Sequence, residues 1–593
     1  MEKKTKLIVA ALISYMVTVY LPYIMKVEKS AYSNSFFSVM FGMMNFYIIY
    51  NFVGTIDWKK KRELIWSAIP AIILSATLVF GKQLDTIQNV DFLDINMWTA
   101  IIAHTSYFTI IIIKLFEAYG RAKWFGNGGA TDKKTIFLTW LGIILMWMPV
   151  FLALYPGAFI YDAQEEYVQV ATREFTTHHP LLHVLLLGGS VVGGNKFLGS
   201  YNVGIAIYTL SQMAVLAGCF TYLLVFLKKY GVNKNIRVIS YLVVGLFPVF
   251  PMFAVCSAKD VLFTAALMVV FILLLEYYLD NSQFKKIRYN LMLVVVSVVM
   301  MLFRNNGMYA YAVLALMVIA ITLLQYKKGG RENVRLSILK IVSIVLFLLV
   351  SNLMIWALNA DNSKKQEILT VPIQQITRTY NFNEDSFSEE QKKILYEVLP
   401  EEVLEKYSPN ISDLVKINFD SDMYSKDPGK YHELWLEMGI RNPSTYINAW
   451  LLTSYGNWYP DTIINVYKGQ QRFTYKYEDS SYFGFETEPP GTRESKLPWL
   501  EKFYRKLSLE VYQQNIPVVS MLFSPGFLFY IYLLIACYIV MMKDYRKLVP
   551  LLLVGLIWAT LLLGPTYLVR YLIMFWFLLP VVMVLPHIRE LKK

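Results

Sequence analysis

Cysteine is scarce in this chain of 593 residues: Cys219, Cys256 and Cys537 are the only three, and each lies inside an apolar run. That pattern excludes a disulfide framework and a thiolate zinc site, and it leaves the three as packing residues. Charge is scarce too, at 17% of residues, and only six histidines occur. There is no P-loop and no dinucleotide fingerprint, which removes the common nucleotide-driven chemistries. A net charge of +13 would suit nucleic acid, but the basic residues fall in short clusters between apolar runs, a pattern that orients helices in a membrane instead. No internal repeat is visible, so the usual sequence sign of an inverted-repeat transporter is missing.

What the chain does have is hydrocarbon. At 56% hydrophobic over this length, it carries more apolar surface than one soluble core can bury. Apolar runs near 6–25, 35–54, 65–81, 97–115, 135–154, 201–227, 237–256, 261–279, 290–303, 307–325, 336–357, 521–541, 548–564 and 568–586 predict about fourteen transmembrane helices. The first is of span length and lacks a small-residue cleavage site, so it reads as a helix and not as a signal peptide. With a cytoplasmic N-terminus, the basic clusters Lys3/Lys4/Lys6, Lys59 to Arg62, Lys114 to Lys134, Lys228 to Arg237, Lys285 to Arg288, Lys327 to Arg335 and Lys543 to Lys547 all fall inside. An even number of spans returns the C-terminus to the same side.

The expected organisation is an all-α polytopic membrane protein of the bacterial cell membrane in four parts: a four-helix segment (1–134), a membrane core (135–359), a polar domain outside the cytoplasm (360–520) and a three-helix segment (521–593). The polar domain mixes helical stretches such as 388–407 with an aromatic, turn-rich stretch, 458–485, which predicts an α+β fold. The run 181–192 is too short to span and is followed by Gly193 and Gly194, so an interfacial or re-entrant helix is expected there.

Polar residues gather where spans end on the outer side. The loop YPGAFIYDAQEEYVQVATREFTTHHPLLH (155–183) places Asp162, Glu165 and Glu166 just outside hydrocarbon. A partly desolvated carboxylate there suits a general base, and equally an acidic helix cap. His178, His179 and His183 are half of all the histidines. They suit a phosphate, an acceptor hydroxyl or a divalent metal (Mg or Mn) shared with Asp162 or Glu165, and also plain helix capping. Three short turns follow: CSAKD (256–260) with Lys259, RNNG (304–307) with Arg304 and Asn305, and GPTYLVRY (564–571) with Arg570 and Tyr571. Lys259, Arg304 and Arg570 thus share one membrane depth, where a lipid-linked phosphate would lie. Taken singly, each also reads as a snorkelling cation or a carboxylate's partner. The stretch VPIQQITR (371–378) adds Gln375 and Arg378, groups that suit sugar hydroxyls or an ordinary helical turn.

Together these motifs resemble the C-class (GT-C) integral-membrane glycosyltransferases, and more narrowly a family of uncharacterised multi-pass proteins of Gram-positive bacteria. The GT-C resemblance implies a polyprenyl-phosphate sugar donor, an extracytoplasmic glycan or related polymer as acceptor, and transfer with inversion. It implies Asp162 as base, with Glu165 or Glu166 as alternates, and an amphipathic helix after it at 180–194. Lys259, Arg304 and Arg570 would hold the donor phosphate; His178, His179, Asn305, Gln375, Arg378 and Tyr571 would face the acceptor or sugar. Membrane lipids are implied as partners, and nucleic acid is not. Two rival readings are a flippase or transporter of lipid-linked saccharide and a non-enzymatic scaffold for wall polymer. A transporter would carry ionisable residues at mid-membrane depth, whereas here they cluster at span ends, with Glu276 near the inner boundary.

Overall fold

The computed structural model describes residues 2–327, 330, 333–361, 365–464 and 482–589. The described residues form helices joined by turns, with four isolated β-bridges and no strands. Eleven helices are long and apolar enough to cross a membrane, and a bent pair, Lys234–Leu246 with Val249–Val255, makes up to twelve. The chain is therefore a multi-pass helical membrane protein.

The count of fourteen needs correction. Helices Pro525–Met541 and Leu548–Leu561 have 17 and 14 residues, shorter than the runs 521–541 and 548–564 suggested, and Ile287–Phe303, although it extends its short run 290–303, reaches only 17. Conversely, the expected re-entrant segment is a continuous 18-residue helix, Leu181–Leu198. Its glycines do not break it because they are packing surfaces. A Cβ on Gly194 would run into the backbone of Gly204 on the neighbouring helix Tyr201–Lys229, so the two helices meet backbone to backbone. The amphipathic role expected at 180–194 falls outside this helix, which is apolar on every side; the short helix Tyr161–Thr172 ahead of it carries the polar residues instead.

Two helices of similar composition have opposite surroundings. Lys259–Leu279 is buried at every residue from Phe263 to Tyr277, because helices from both halves of the chain enclose it. Val334–Leu358 buries only Leu336, Ser337, Lys340, Ser343 and Phe347, and turns Ile338, Val345, Leu349 and Leu353 outward. An apolar helix with its side chains exposed needs lipid as its solvent.

The domain expected to be α+β is helical among the described residues, with Thr370–Phe382, Pro428–Arg441 and Pro443–Ser454 packed around Ile373, Leu399, Leu404 and Met438. Ser388 opens a helix with a reciprocal capping box to Gln391, but the expected helix 388–407 stops at Tyr396 and restarts at Glu401 after Pro400, which has no N–H to continue it. Of the aromatic stretch, 465–481 lie outside the described residues. The chain from 482 to 496, which runs on past the end of that stretch at 485, is extended but pairs with no strand. Its backbone donates singly to loop carbonyls instead, Glu488 N–H to Phe159 O at 2.7 Å and Glu494 N–H to Tyr155 O at 2.9 Å. Alternating aromatics signal an extended chain, not a sheet partner.

Candidate functional site

The geometry begins where helix Lys133–Ala153 ends. Gly157 turns the chain at a positive φ of 137°, and a Cβ there would clash with Thr209 Oγ1, so the position takes glycine on both counts. The next residues form a parallel bridge to the 256–260 turn: Ala158 N–H donates to Val255 O at 3.0 Å, and Ser257 N–H returns to Ala158 O at 2.9 Å. Ser257 Oγ adds a bond to the same carbonyl at 2.9 Å. The extended 482–496 segment backs this bridge through Thr487, which donates to Gly157 O at 3.2 Å. Two turns about 100 residues apart in sequence are thus held as one surface, and the Tyr161–Thr172 helix starts from it with Asp162 in its first turn, where the helix dipole favours a carboxylate.

Asp162 is buried beside cations from two other turns. Arg570 donates through Nη1 to Oδ2 at 2.8 Å and through Nη2 to Oδ1 at 3.4 Å, and Lys259 Nζ donates to Oδ2 at 3.1 Å. Arg570 also reaches the Tyr161 hydroxyl at 2.9 Å. Lys259 does not pair with its sequence neighbour Asp260, because adjacent helical positions point about 100° apart; Asp260 pairs with Arg304 and lies 4.0 Å from Arg570 Nε. The Arg304 guanidinium lies 4.5 Å from the centre of the Tyr571 ring. This five-residue network holds three cations against two carboxylates, and Glu165, joined to Lys259 through His179, brings the acids to three.

Burial pushes the Asp162 carboxyl up, but Arg570 and then Lys259 outweigh it and hold the group well below the usual carboxylate range. Hydrogen bonding from His179 lowers the Glu165 carboxyl. Burial, followed by the neighbouring His179 and Lys259, lowers the His178 imidazole.

His179 is held from both sides, by Lys259 Nζ on Nδ1 at 2.9 Å and by Glu165 Oε2 on Nε2 at 2.9 Å. A lysine ammonium only donates, so Nδ1 accepts and Nε2 carries the proton. The ligand atoms of Glu165, His178 and His179 lie within 4.8 Å of one another. Two imidazoles and one carboxylate do not suit Mg, which takes oxygen ligands in a strict octahedron, and are compatible with Mn.

These groups line one cavity of ≈ 570 Å³. It collects Asp162, Glu165, His178, His179, Lys259, Arg304, Asn305, Arg570 and Tyr571 from four separate turns. Glu166 is not among them: it is fully buried one helical turn beyond Asp162 and paired with His183. Gln375 and Arg378 are not at the cavity either. Gln375 bonds within the polar domain to Tyr446 O and Trp435 Nε1, and Arg378 fastens that domain to Gln88 O at 2.8 Å.

Sequence reasoning missed the roof. Glu367, Asp413, Lys416 and Ile417 reach the cavity from the polar domain, with Lys416 buried between Glu367 at 2.8 Å and Asp413 at 2.9 Å. A charged residue in a charged segment carries no contrast that would single it out, whereas Tyr161 was signalled by its place beside Asp162. A second cavity of ≈ 190 Å³ shares His179, Pro180 and Asn305 with the first and is lined further by Leu302, Phe347, Ser351 and Ile355, from the inner side of helix Val334–Leu358. The polar chamber thus adjoins a smaller pocket of mixed polar and apolar lining.

Residues 170–593 match the family described as a family of unknown function (DUF6020). The match starts after Asp162 and takes in the histidines and all three cationic turns. No curated protein and no solved structure matches the chain.

Proposed function

We propose that this chain, which belongs to the family of unknown function DUF6020, is a membrane glycosyltransferase that moves a sugar from a polyprenyl-phosphate donor to an acceptor outside the cytoplasm, a cell-wall glycan or related polymer. The observation that carries the reading is the meeting of buried Asp162 with Arg570 and Lys259, and of Arg304 beside them, in one chamber next to a smaller pocket bordered by Leu302, Phe347 and Ile355. A donor of this kind has a phosphate for those cations and a hydrocarbon chain that stays in the lipid.

The donor phosphate competes with Asp162 for the network's cations. Arg570 offers it a planar pair of donors and Lys259 a point charge, and Arg304 lies at the same rim. In the resting state Asp162 occupies those donors and is a weak base. Phosphate binding draws Arg570 and Lys259 away from Asp162 and lets its proton affinity rise. Base strength then appears when the donor is in place. The acceptor hydroxyl attacks the anomeric carbon, its proton passes to Asp162, the bond from that carbon to the phosphate oxygen breaks, and polyprenyl phosphate leaves with its charge met by the cations. Attack opposite the leaving group gives inversion.

The test is sugar transfer by the purified protein in liposomes, using radiolabelled polyprenyl-phosphate sugars and cell-wall glycan extracts. Transfer by wild type and its loss in a folded Asp162→Asn variant that still binds donor is the expected result. Undiminished transfer by Asp162→Asn overturns the base assignment. Movement of donor across the bilayer with no glycosidic product would replace the enzyme with a flippase.

A further inference from the structure

We infer that Glu165, His178 and His179 form a binding site for one borderline divalent cation of the zinc class, on the rim of the cavity and adjoining Lys259. Each residue offers one ligand atom, and the three lie within 4.8 Å of one another. A tetrahedral site with bonds of ~2.1 Å needs ligand atoms roughly 3.4 Å apart. The Glu165 and His178 side chains are exposed and free to close the difference. Two imidazoles, one carboxylate and an open fourth position suit Zn²⁺ and disfavour Mg²⁺.

The second observation is a buried oxygen with nothing to do. Glu166 is fully buried, and its Oε1 has no hydrogen-bond partner although it lies 3.8 Å from His179 Nδ1. Its other oxygen is bound by His183, whose Nε2 meets the Tyr208 hydroxyl at 2.7 Å. Tyr208 in turn donates to Gln212 Oε1 at 3.0 Å, and the Gln212 amide is fixed by donating to Ala254 O and Cys256 O. That chain holds the Glu166 carboxylate in place with one oxygen turned to His179.

The free oxygen acquires a role once a cation binds His179 through Nε2. The cation displaces the Nε2 proton, and the neutral ring then carries a proton on Nδ1, with no net proton gained or lost. Lys259 cannot accept that proton, because an ammonium has no lone pair. Glu166 Oε1 can, and a carboxylate behind a metal-bound histidine is the usual means of orienting the ring. Lys259 loses its bond to His179 and keeps only Asp162. The cation therefore acts as a tautomer switch that releases one lysine to the cavity. The ligand set stands on its own geometry whatever reaction the cavity serves, and its test reads metal rather than sugar transfer.

The experiment uses full-length protein purified without a polyhistidine tag, stripped with chelator and held in nanodiscs. Calorimetric titration is run with Zn²⁺ and, in parallel, Mg²⁺. One Zn²⁺ per chain is expected, with no Mg²⁺ binding. His178→Ala and Glu165→Gln should each weaken Zn²⁺ binding by at least ~10-fold, and Glu166→Gln by roughly 10- to 100-fold. Lys259→Met should tighten it, because the competing hydrogen bond on Nδ1 is gone. Circular dichroism checks folding; if Glu166→Gln does not fold, His178→Ala and Lys259→Met decide the matter. The inference is overturned if wild type binds no stoichiometric Zn²⁺, if His178→Ala binds like wild type, or if Lys259→Met binds no more tightly.

Discussion

The two ends of helix Lys259–Leu279 pose the same electrostatic problem and solve it differently. At one end Glu276 is buried and meets Lys229 at 2.6 Å, with the Tyr222 hydroxyl donating to it at 3.2 Å. One acid meets one base and nothing is left over. At the other end, 17 residues and therefore about 25 Å away, Lys259 and Asp260 join Asp162, Arg304 and Arg570 around a void. Charge near a membrane helix is thus not diagnostic by itself. The contrast lies in space: a closed pair joins helices, whereas a network of several acids and bases bordering a chamber is arranged for something that comes and goes.

The largest expected effect separates the two ends by activity. Asp162→Asn should lower transfer by about 10²–10⁴-fold, the usual contribution of a positioned base, while the same assay on a Glu276 variant should show transfer unchanged per folded molecule. A Glu276 variant with lost transfer and intact folding would break the comparison. The reverse holds for stability: Glu276→Ala leaves the part-exposed Lys229 without its carboxylate and should cost about 1.5 kcal/mol, measured as a lowered midpoint of thermal unfolding in detergent.

Third comes the support behind the chamber. Burial pushes Glu486 up to about 7 from an ordinary 4.5, with the nearby Glu488 adding to the shift. Between those values the unfolded chain releases its proton while the folded chain retains it, so this group's contribution to stability falls as pH rises through that window. Glu486→Gln should therefore stabilise by about 3 kcal/mol at pH 8 and by almost nothing at pH 4. Equal midpoint shifts at both pH values would show that the group's charge is not what matters there. The smallest effect is Arg570→Lys, which keeps the charge but loses the planar pair of donors. One charge-assisted hydrogen bond of about 1.5 kcal/mol corresponds to roughly tenfold in KM for donor, with kcat changed less. A kcat loss as large as that of Asp162→Asn would mean that Arg570 orients the carboxylate more than it binds phosphate.

The chamber's membrane half was legible because a cation or carboxylate in a short turn between apolar runs contrasts with its surroundings. Lys259, Arg304 and Arg570 could be placed at one depth on that basis alone. Which acid each would meet was not legible, because Lys259 and Asp260 diverge around the helix and choose partners about 97 and 44 residues away. Length misled twice. The glycines of 181–198 looked like a break and are a helix contact, and the aromatic run past 482 looked like a strand and is a brace for the Tyr155–Asp162 turn. Lys416 and its two acids were invisible for want of contrast; Glu166 stood out together with Glu165, but which of the two lines the cavity was not legible, because adjacent positions carry the same chemistry.

The polar domain is fastened around the chamber on several sides. Thr177 N–H donates to Asp361 O at 2.8 Å, and Ser412 N–H to Pro565 O at 3.0 Å. Thr566 donates to Asn410 O at 2.8 Å, and Asn448 exchanges bonds with the Val90 backbone. Raising that domain would break all of these at once, so it is a fixed wall of the chamber and not a lid. Entry is left to the rim where Glu165 and His178 stay exposed, and the chamber is a standing cleft whose shape is set before any ligand arrives.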